Sequence, residues 1–293
     1  MASILYYIFI YPLSLLPFWV LYAKSNFLRF ILYNIIGFRV GVIKNNLEKA
    51  FPNKTLEERK AIEREFYLHM CDLILESIKF FSISRQAAYK MMDVENSELL
   101  TELYNKGKDV ILAGGHYGNW ELYALTSPRD TPHDIYALYT PLTSEFFDRK
   151  MKSSRERYGL KMHSIKDVHG LFNQKSEKPR AFIFGADQSP SNPHKAYWLT
   201  FLNQETGVQF GTEKFAQQLN AAVVFGFIDK VKRGQYKMSY RLICENANDM
   251  PYGKITELHT KYLEEKIIEK PPYWLWSHKR WKRTRPEGVP LHG

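Results

Sequence analysis

The chain has 293 residues, 45% hydrophobic and 25% charged, enough to bury the core of one catalytic-sized domain with at most a small appendage. Lys and Arg exceed Asp and Glu by 41 to 31, a formal charge of +10, which points to an anionic partner such as a phospholipid surface, an acidic carrier protein or nucleic acid. The two cysteines, Cys71 and Cys244, each sit inside an apolar pattern, which excludes a disulfide framework or a cysteine zinc cluster and reads as buried core thiols.

Residues 1–23, "MASILYYIFIYPLSLLPFWVLYA", carry no charged side chain, about the length a helix needs to cross a hydrocarbon core. They are expected to form a membrane-anchoring helix, with residues 24–293 as the body of the protein. Pro12 and Pro17 keep two forms open, a spanning helix and a kinked or interfacial segment. A cleaved signal peptide fits less well, because no Lys or Arg precedes the apolar run and no small-residue cleavage site follows it. Lys24, Arg29, Arg39 and Lys44 all follow the run, so the positive-inside rule places the body on the cytoplasmic side.

Next comes a turn at Pro52 and Asn53. Thr55 with Glu58 three residues on then predicts a capping box opening a helix, with Ile62, Phe66, Leu73, Leu75 and Ile78 on its apolar side. The rhythm changes in the middle of the chain. "DVILAGG", "DIYALYT", "AFIFGADQ" and "AAVVFGFI" are short apolar runs separated by helix-length segments, as buried strands are, and "YKMSYRLI" alternates like an additional, antiparallel strand. The fold class expected is α/β, a central mixed, largely parallel sheet flanked by helices. A charged helix stopped by Pro271 and Pro272 and an aromatic, basic tail close the chain.

"ILAGGHYGNWELYAL", residues 111–125, is the stretch that suggests chemistry. If "DVILAGG" is a strand, Gly114 and Gly115 stand at its exit, where a missing side chain admits a close neighbour, and His116 is presented at the sheet edge. Gly118 allows a turn, Asn119 can cap, and "WELYALTS" begins a helix with Glu121 in its first turn. A carboxylate on one imidazole nitrogen fixes the tautomer and leaves the other nitrogen to take a proton from a hydroxyl, so His116 and Glu121 are expected to meet across the turn as a two-part base. The plainer reading makes His116 a strand-end residue and Glu121 only a charge in a first helical turn.

"GGHYGNWE" resembles the His-x4-Asp/Glu motif of the lysophospholipid acyltransferase superfamily, in the branch of bacterial lipid A late acyltransferases (lauroyl and myristoyl transferases). The resemblance extends to "RVGVIKNNLEKAFPNKTLEERKAI", to "SSRERYGLKM", to "FGADQSP" and to "PYWLWSHKRWKRTRPEG", covering roughly residues 35–288. It implies an acyltransferase domain over residues 24–293. That domain would move a fatty acyl group from acyl carrier protein or coenzyme A to a hydroxyl of a membrane lipid, a lipid A precursor or another amphiphile. No cofactor or metal is implied, and the place of work is the cytoplasmic face of the inner membrane. His116 would be the base and Glu121 its orienting partner. Gly115, Asn119, Arg155 and Asp187 are the substrate-binding candidates: Gly115 and Asn119 shape the turn, Arg155 in "SSRERYG" suits a phosphate of donor or acceptor, and Asp187 lines the cleft if its strand neighbours that of His116. The stretch after Asp187 and Gln188 departs from the family pattern, which leaves the acceptor as the least secure inheritance.

Other chemistries fit less well. His116, His133, Asp134, His163, His169 and Asp187 are scattered without a zinc-protease spacing, there is no Gly-x-Ser-x-Gly elbow, and "AGGHYGN" lacks the Gly-Lys-Ser/Thr ending of a phosphate loop. The non-catalytic rival is a membrane-tethered basic protein. "KRWKRTR" suits lipid headgroups or a nucleic-acid backbone, and next to an apolar segment an anionic membrane surface is the simpler partner, with no nucleic acid.

Overall fold

The computed structural model describes residues 2–174 and 176–292. It begins with α1 (Ala2–Leu5), a π-helical turn (Tyr6–Ile10) and α2 (Tyr11–Leu15), followed by α3 (Phe18–Phe30), which runs on into a second π-helical turn (Ile31–Ile35). The chain bends by 119° between the two halves. The bend has a local cause: Leu16 precedes Pro17, whose ring disfavours helical geometry in the residue before it, and Leu16 is extended at ψ 148°. No single helix among the described residues is long and apolar enough to cross a membrane; only the bent pair passes together by length and composition. The straight spanning helix is thus replaced by the kinked form.

This segment turns apolar residues outward and polar ones inward. Ile4, Ile8, Phe9, Trp19, Phe27 and Ile35 are each more than half exposed, whereas Ser14 and Ser25 are fully buried. Ser25 donates to Asp72 at 2.7 Å, Tyr22 to Glu76 at 2.9 Å, and Lys79 donates to the carbonyls of Ser14 and Leu16. Asp72, Glu76 and Lys79 all belong to one long helix.

After α4 (Val40–Ala50), that helix is α5 (Leu56–Lys79), opened by the expected capping box of Thr55 and Glu58. There follow α6 (Arg85–Met91), β1 (Met92–Val94), α7 (Glu98–Asn105), β2 (Val110–Gly114), α8 (Trp120–Thr126), β3 (Asp134–Tyr139), α9 (Glu145–Glu156), β4 (Lys161–Ser164), α10 (Val168–Asn173) and β5 (Arg180–Gly185). The chain then forms a hairpin of β6 (Ala196–Phe201) and β7 (Gln204–Gln209), α11 (Gly211–Leu219), the long antiparallel pair β8 (Ala222–Lys232) and β9 (Gln235–Cys244), and α12 (Lys254–Glu269).

Among the described residues seven strands form the main sheet in the order β1-β9-β8-β2-β5-β3-β4. β8, β2, β5, β3 and β4 run parallel, and β9 is antiparallel to β8, as its alternating sequence suggested. β2 shows why the central runs are uniformly apolar: Ile111 and Ala113 enter the core on one face, Val110 and Leu112 the core on the other. The C-terminal tail is built into the body. Trp274, Trp276 and Arg280 are buried, and Arg280 donates to the carbonyl of Gly207 in the hairpin, so of "KRWKRTR" only Lys279, Lys282, Arg283 and Thr284 are exposed.

Candidate active site

Register creates the site. β2 and β5 are parallel neighbours in which Gly114 pairs with Gly185, so the residues two places beyond each strand end, His116 and Asp187, arrive side by side at the C-terminal edge of the sheet. Asp187 Oδ1 lies 2.6 Å from His116 Nδ1, and Oδ2 accepts from the His116 backbone N–H and from Trp274 Nε1, each at 2.8 Å. Gly115 leaves the room between them: a Cβ there would stand 2.7 Å from a Leu263 methyl and 3.1 Å from the Asp187 carboxylate, so both side chains would have to shift.

The carboxylate on the imidazole is therefore Asp187, and the expected pairing of His116 with Glu121 is corrected. Glu121 sits in the first turn of α8 and takes a bidentate ion pair from Arg155 in the last turn of α9, Nε to Oε2 at 3.0 Å and Nη2 to Oε1 at 2.7 Å. Two donors of the guanidinium expected to meet a phosphate are thus committed to Glu121. Asp187, expected among the substrate-binding residues, is only 3% exposed in its side chain and accepts from three protein donors. Asn119 is fully buried, its Oδ1 capping α8 through Leu122 N and its Nδ2 bonded to Glu76, so it builds the turn without facing the cleft.

The turn itself is held from several sides. Gly118 takes φ +64° with Ile228 O 2.5 Å from where a Cβ would stand, a position open only to glycine. Its N–H donates to Tyr273 O at 3.0 Å, and its carbonyl faces His69 Nε2 at 3.2 Å. Trp120 closes edge-on against the His116 ring with centroids 5.2 Å apart.

Electrostatics follow from this packing. Burial works against charge on His116, but the Asp187 carboxylate, by charge and by hydrogen bond, holds the imidazole above its ordinary value. Burial also opposes charge on Asp187, yet the His116 ring, its backbone N–H and the Trp274 indole hold that carboxyl far below the usual carboxylate range. An ionised Asp187 fixes the proton of a neutral His116 on Nδ1 and leaves the Nε2 lone pair toward the cleft, where the Gln188 side-chain amide stands 3.3 Å away. By contrast, burial pushes the Cys71 and Cys244 thiols up to about 12 and about 11, which keeps both as thiols.

His116 opens onto a cavity of about 470 Å³. Its walls are mostly apolar, with Leu112, Ile183, Ile228 and Met238 from the sheet and Met151 from α9, while Glu121, Lys152 and Arg155 give one polar side. His133 and His163, the scattered ring candidates, bond instead to the carbonyls of Lys108 and Asp167. Sequence reasoning gave no role to Trp274 or Glu76. The quoted segment "PYWLWSHKRW" carries the first, but nothing local ties it to Asp187, 87 residues away.

Residues 1–283 match the family described as bacterial lipid A biosynthesis acyltransferase. A lipid A biosynthesis palmitoleoyltransferase of Escherichia coli K12 is 23% identical over 253 residues, 85% of this chain and 80% of that protein. A lipid A biosynthesis lauroyltransferase of the same organism is 24% identical over 282 residues, 94% of this chain and 89% of the relative. A lipid A biosynthesis acyltransferase of Shigella flexneri is 23% identical over 253 residues. With the family matched along nearly the whole chain, this protein is an acyltransferase and belongs to the bacterial lipid A biosynthesis acyltransferase family.

Proposed function

We propose that the protein transfers a fatty acyl group from an acyl thioester, carried by acyl carrier protein or coenzyme A, to a hydroxyl of a lipid A precursor. The observation that carries this reading is an imidazole whose Nδ1 is held by a buried carboxylate and whose Nε2 opens to a largely apolar cavity of about 470 Å³. Such a group can deprotonate an alcohol, and such a cavity suits an alkyl chain.

In this mechanism the acceptor hydroxyl displaces Gln188 from His116 Nε2. As the oxygen attacks the thioester carbonyl its proton passes to Nε2, and Asp187 supports the imidazolium that forms. Collapse of the tetrahedral intermediate breaks the C–S bond, and the departing sulfur takes the proton back. Arg155 and Lys152 line the cavity beside Glu121 and Asp148; the guanidinium, fixed in place by Glu121, has donors left over that suit the phosphates of donor or acceptor. The outward apolar face of α1 to α3 supports work at a membrane surface, here assigned to the cytoplasmic face of the inner membrane.

The test is transfer from labelled acyl carrier protein and, separately, labelled acyl coenzyme A to a lipid A precursor and to other hydroxyl-bearing amphiphiles. His116→Ala should lose transfer by roughly 10² to 10⁴-fold while staying folded. Full transfer by folded His116→Ala would refute the base assignment, and transfer confined to another amphiphile would replace the acceptor.

A further inference from the structure

A second cavity, of about 320 Å³, lies on the far side of Trp120 and Glu121 from the first. Phe66, Met70 and Ile74 of α5, with Tyr273 and Leu275, make its walls, and Trp120 and Glu121 belong to both cavities, so the indole is a partition between them. The polar groups at its edge are turned elsewhere. His69 spends its ring nitrogens on Gly118 O and Lys230 Nζ, and Glu121 spends its carboxylate on Arg155. Apart from the Ser77 side chain, what remains to meet a guest is hydrocarbon. Ile74, one of its lining residues, is 40% exposed on α5, the helix that also takes the polar contacts of the outward-apolar N-terminal segment.

We propose that this cavity holds a hydrocarbon chain of the acceptor lipid, a chain that does not carry the reacting centre. The inference rests on the acyl-transfer reading and adds a place for the second substrate. The donor chain must begin at the reacting carbonyl, hence beside His116, and His116 lines only the first cavity. An apolar cavity sharing a wall with that site but excluding the imidazole suits a chain tethered to the same acceptor as the attacking hydroxyl. Trp120, 5.2 Å from the His116 ring, keeps the two chains apart and sets the reach from anchored chain to reactive oxygen.

Ser77 lines this cavity from α5, and a bulky side chain there fills it from the rim. The experiment compares wild type, Ser77→Trp and the milder rim variant Ile74→Ser, each checked for folding by thermal denaturation. Two acceptors are used in mixed micelles, a lipid A precursor with several chains and an amphiphile with a single hydroxyacyl chain. The binding arm reads the thermal shift given by each lipid, and the transfer arm reads KM and kcat. Ser77→Trp should lose the shift given by the several-chain lipid and raise its KM at least tenfold with kcat little changed, while the one-chain values stay within about twofold; this is the loss expected when two or more methylenes are shut out of an apolar site. Ile74→Ser should move in the same direction by less. Equal shifts and equal KM values in all three proteins would overturn the proposal. So would a parallel loss for both acceptors. If wild type transfers to neither acceptor, the acyl-transfer reading fails, and the binding arm alone still decides whether the cavity takes the chain.

Discussion

Replacing Asp187 by Asn separates the orienting role of this carboxylate from its bulk. Asp187 accepts three hydrogen bonds, two on Oδ2 at 2.8 Å from His116 N and Trp274 Nε1, and one on Oδ1 at 2.6 Å from His116 Nδ1. Asparagine keeps one accepting oxygen. Placed to retain the two bonds on the Oδ2 side, it turns its NH₂ toward His116 Nδ1, which must then accept. The ring proton moves to Nε2, the nitrogen that has to receive the proton of the alcohol, and the base is lost without a cavity or a clash. The expected loss is the general-base contribution itself, roughly 10² to 10⁴-fold in rate, or about 3 to 5 kcal/mol of transition-state stabilisation. The pH profile supplies a second readout. In the proposed mechanism activity requires neutral His116, so the rate of wild type should rise with pH through the raised His116 pKa; in Asp187→Asn the supporting charge is gone while burial remains, so the residual activity should rise at lower pH. Steady-state transfer from labelled acyl thioester across pH, with thermal denaturation as the folding control, makes the measurement. A folded Asp187→Asn with wild-type rate and an unmoved acidic limb would refute the orienting role.

Glu121→Gln keeps one oxygen for Arg155 and should retain more transfer than Glu121→Ala, which frees the guanidinium; equal rates in the two would deny the ion pair a part in the reaction. Gly226→Val should shift donor preference toward shorter acyl chains by roughly tenfold, because a side chain there collides with Met238 in the cavity wall and about two methylenes lose their room; competition between thioesters of different length reads it, and an unchanged preference would place the chain elsewhere. Deleting residues 1–23 should release the protein from vesicles and also lower Tm by about 5 °C or more, since Tyr22 is withdrawn from buried Glu76; an unchanged Tm would show that the contact contributes nothing.

The parts of this fold legible in the sequence are those whose environment is uniform. β2, β3, β5 and β8 are apolar runs bounded by breakers because the sheet is covered on both faces, and the Thr55 and Glu58 box is a purely local signal. β1 has three residues, and β4 is an edge strand reading "KMHS", so neither offers a period to detect. The β6 and β7 hairpin was hidden by its turn: Leu202 and Asn203 both adopt positive φ without a glycine to announce it. At the site, the motif gave His116, but the carboxylate hydrogen-bonded to its imidazole is not the motif's Glu121. Glu121 is near in sequence, yet it projects from α8 toward Arg155, whereas Asp187, 71 residues away, is delivered by strand register. Spacing along the chain cannot report that register. The sequence placed Asp187 in the cleft only on condition that "DVILAGG" and "AFIFGADQ" are neighbouring strands; that adjacency, with Gly114 opposite Gly185, is what brings it to the imidazole.

Glu76 links features that the sequence keeps far apart. Its Oε2 accepts from Asn119 of the turn after His116 at 2.6 Å and from Tyr236 of β9 at 2.9 Å, and its Oε1 accepts from Tyr22 of the N-terminal segment at 2.9 Å. Burial pushes this carboxyl up to about 7, and the Tyr22 and Tyr236 hydroxyls work against that rise. A folded-state value above the roughly 4.3 of a free glutamate means that its contribution to stability is fully present below about pH 4 and is lost as pH rises through about 7. Every donor on the carboxylate limits that loss, so removing one weakens the setting of the others. The apolar segment and the turn that presents His116 therefore share one buried acid. A disturbance that pulls Tyr22 away from α5 reaches Asn119, the cap of the helix that carries Trp120 and Glu121, through a single side chain.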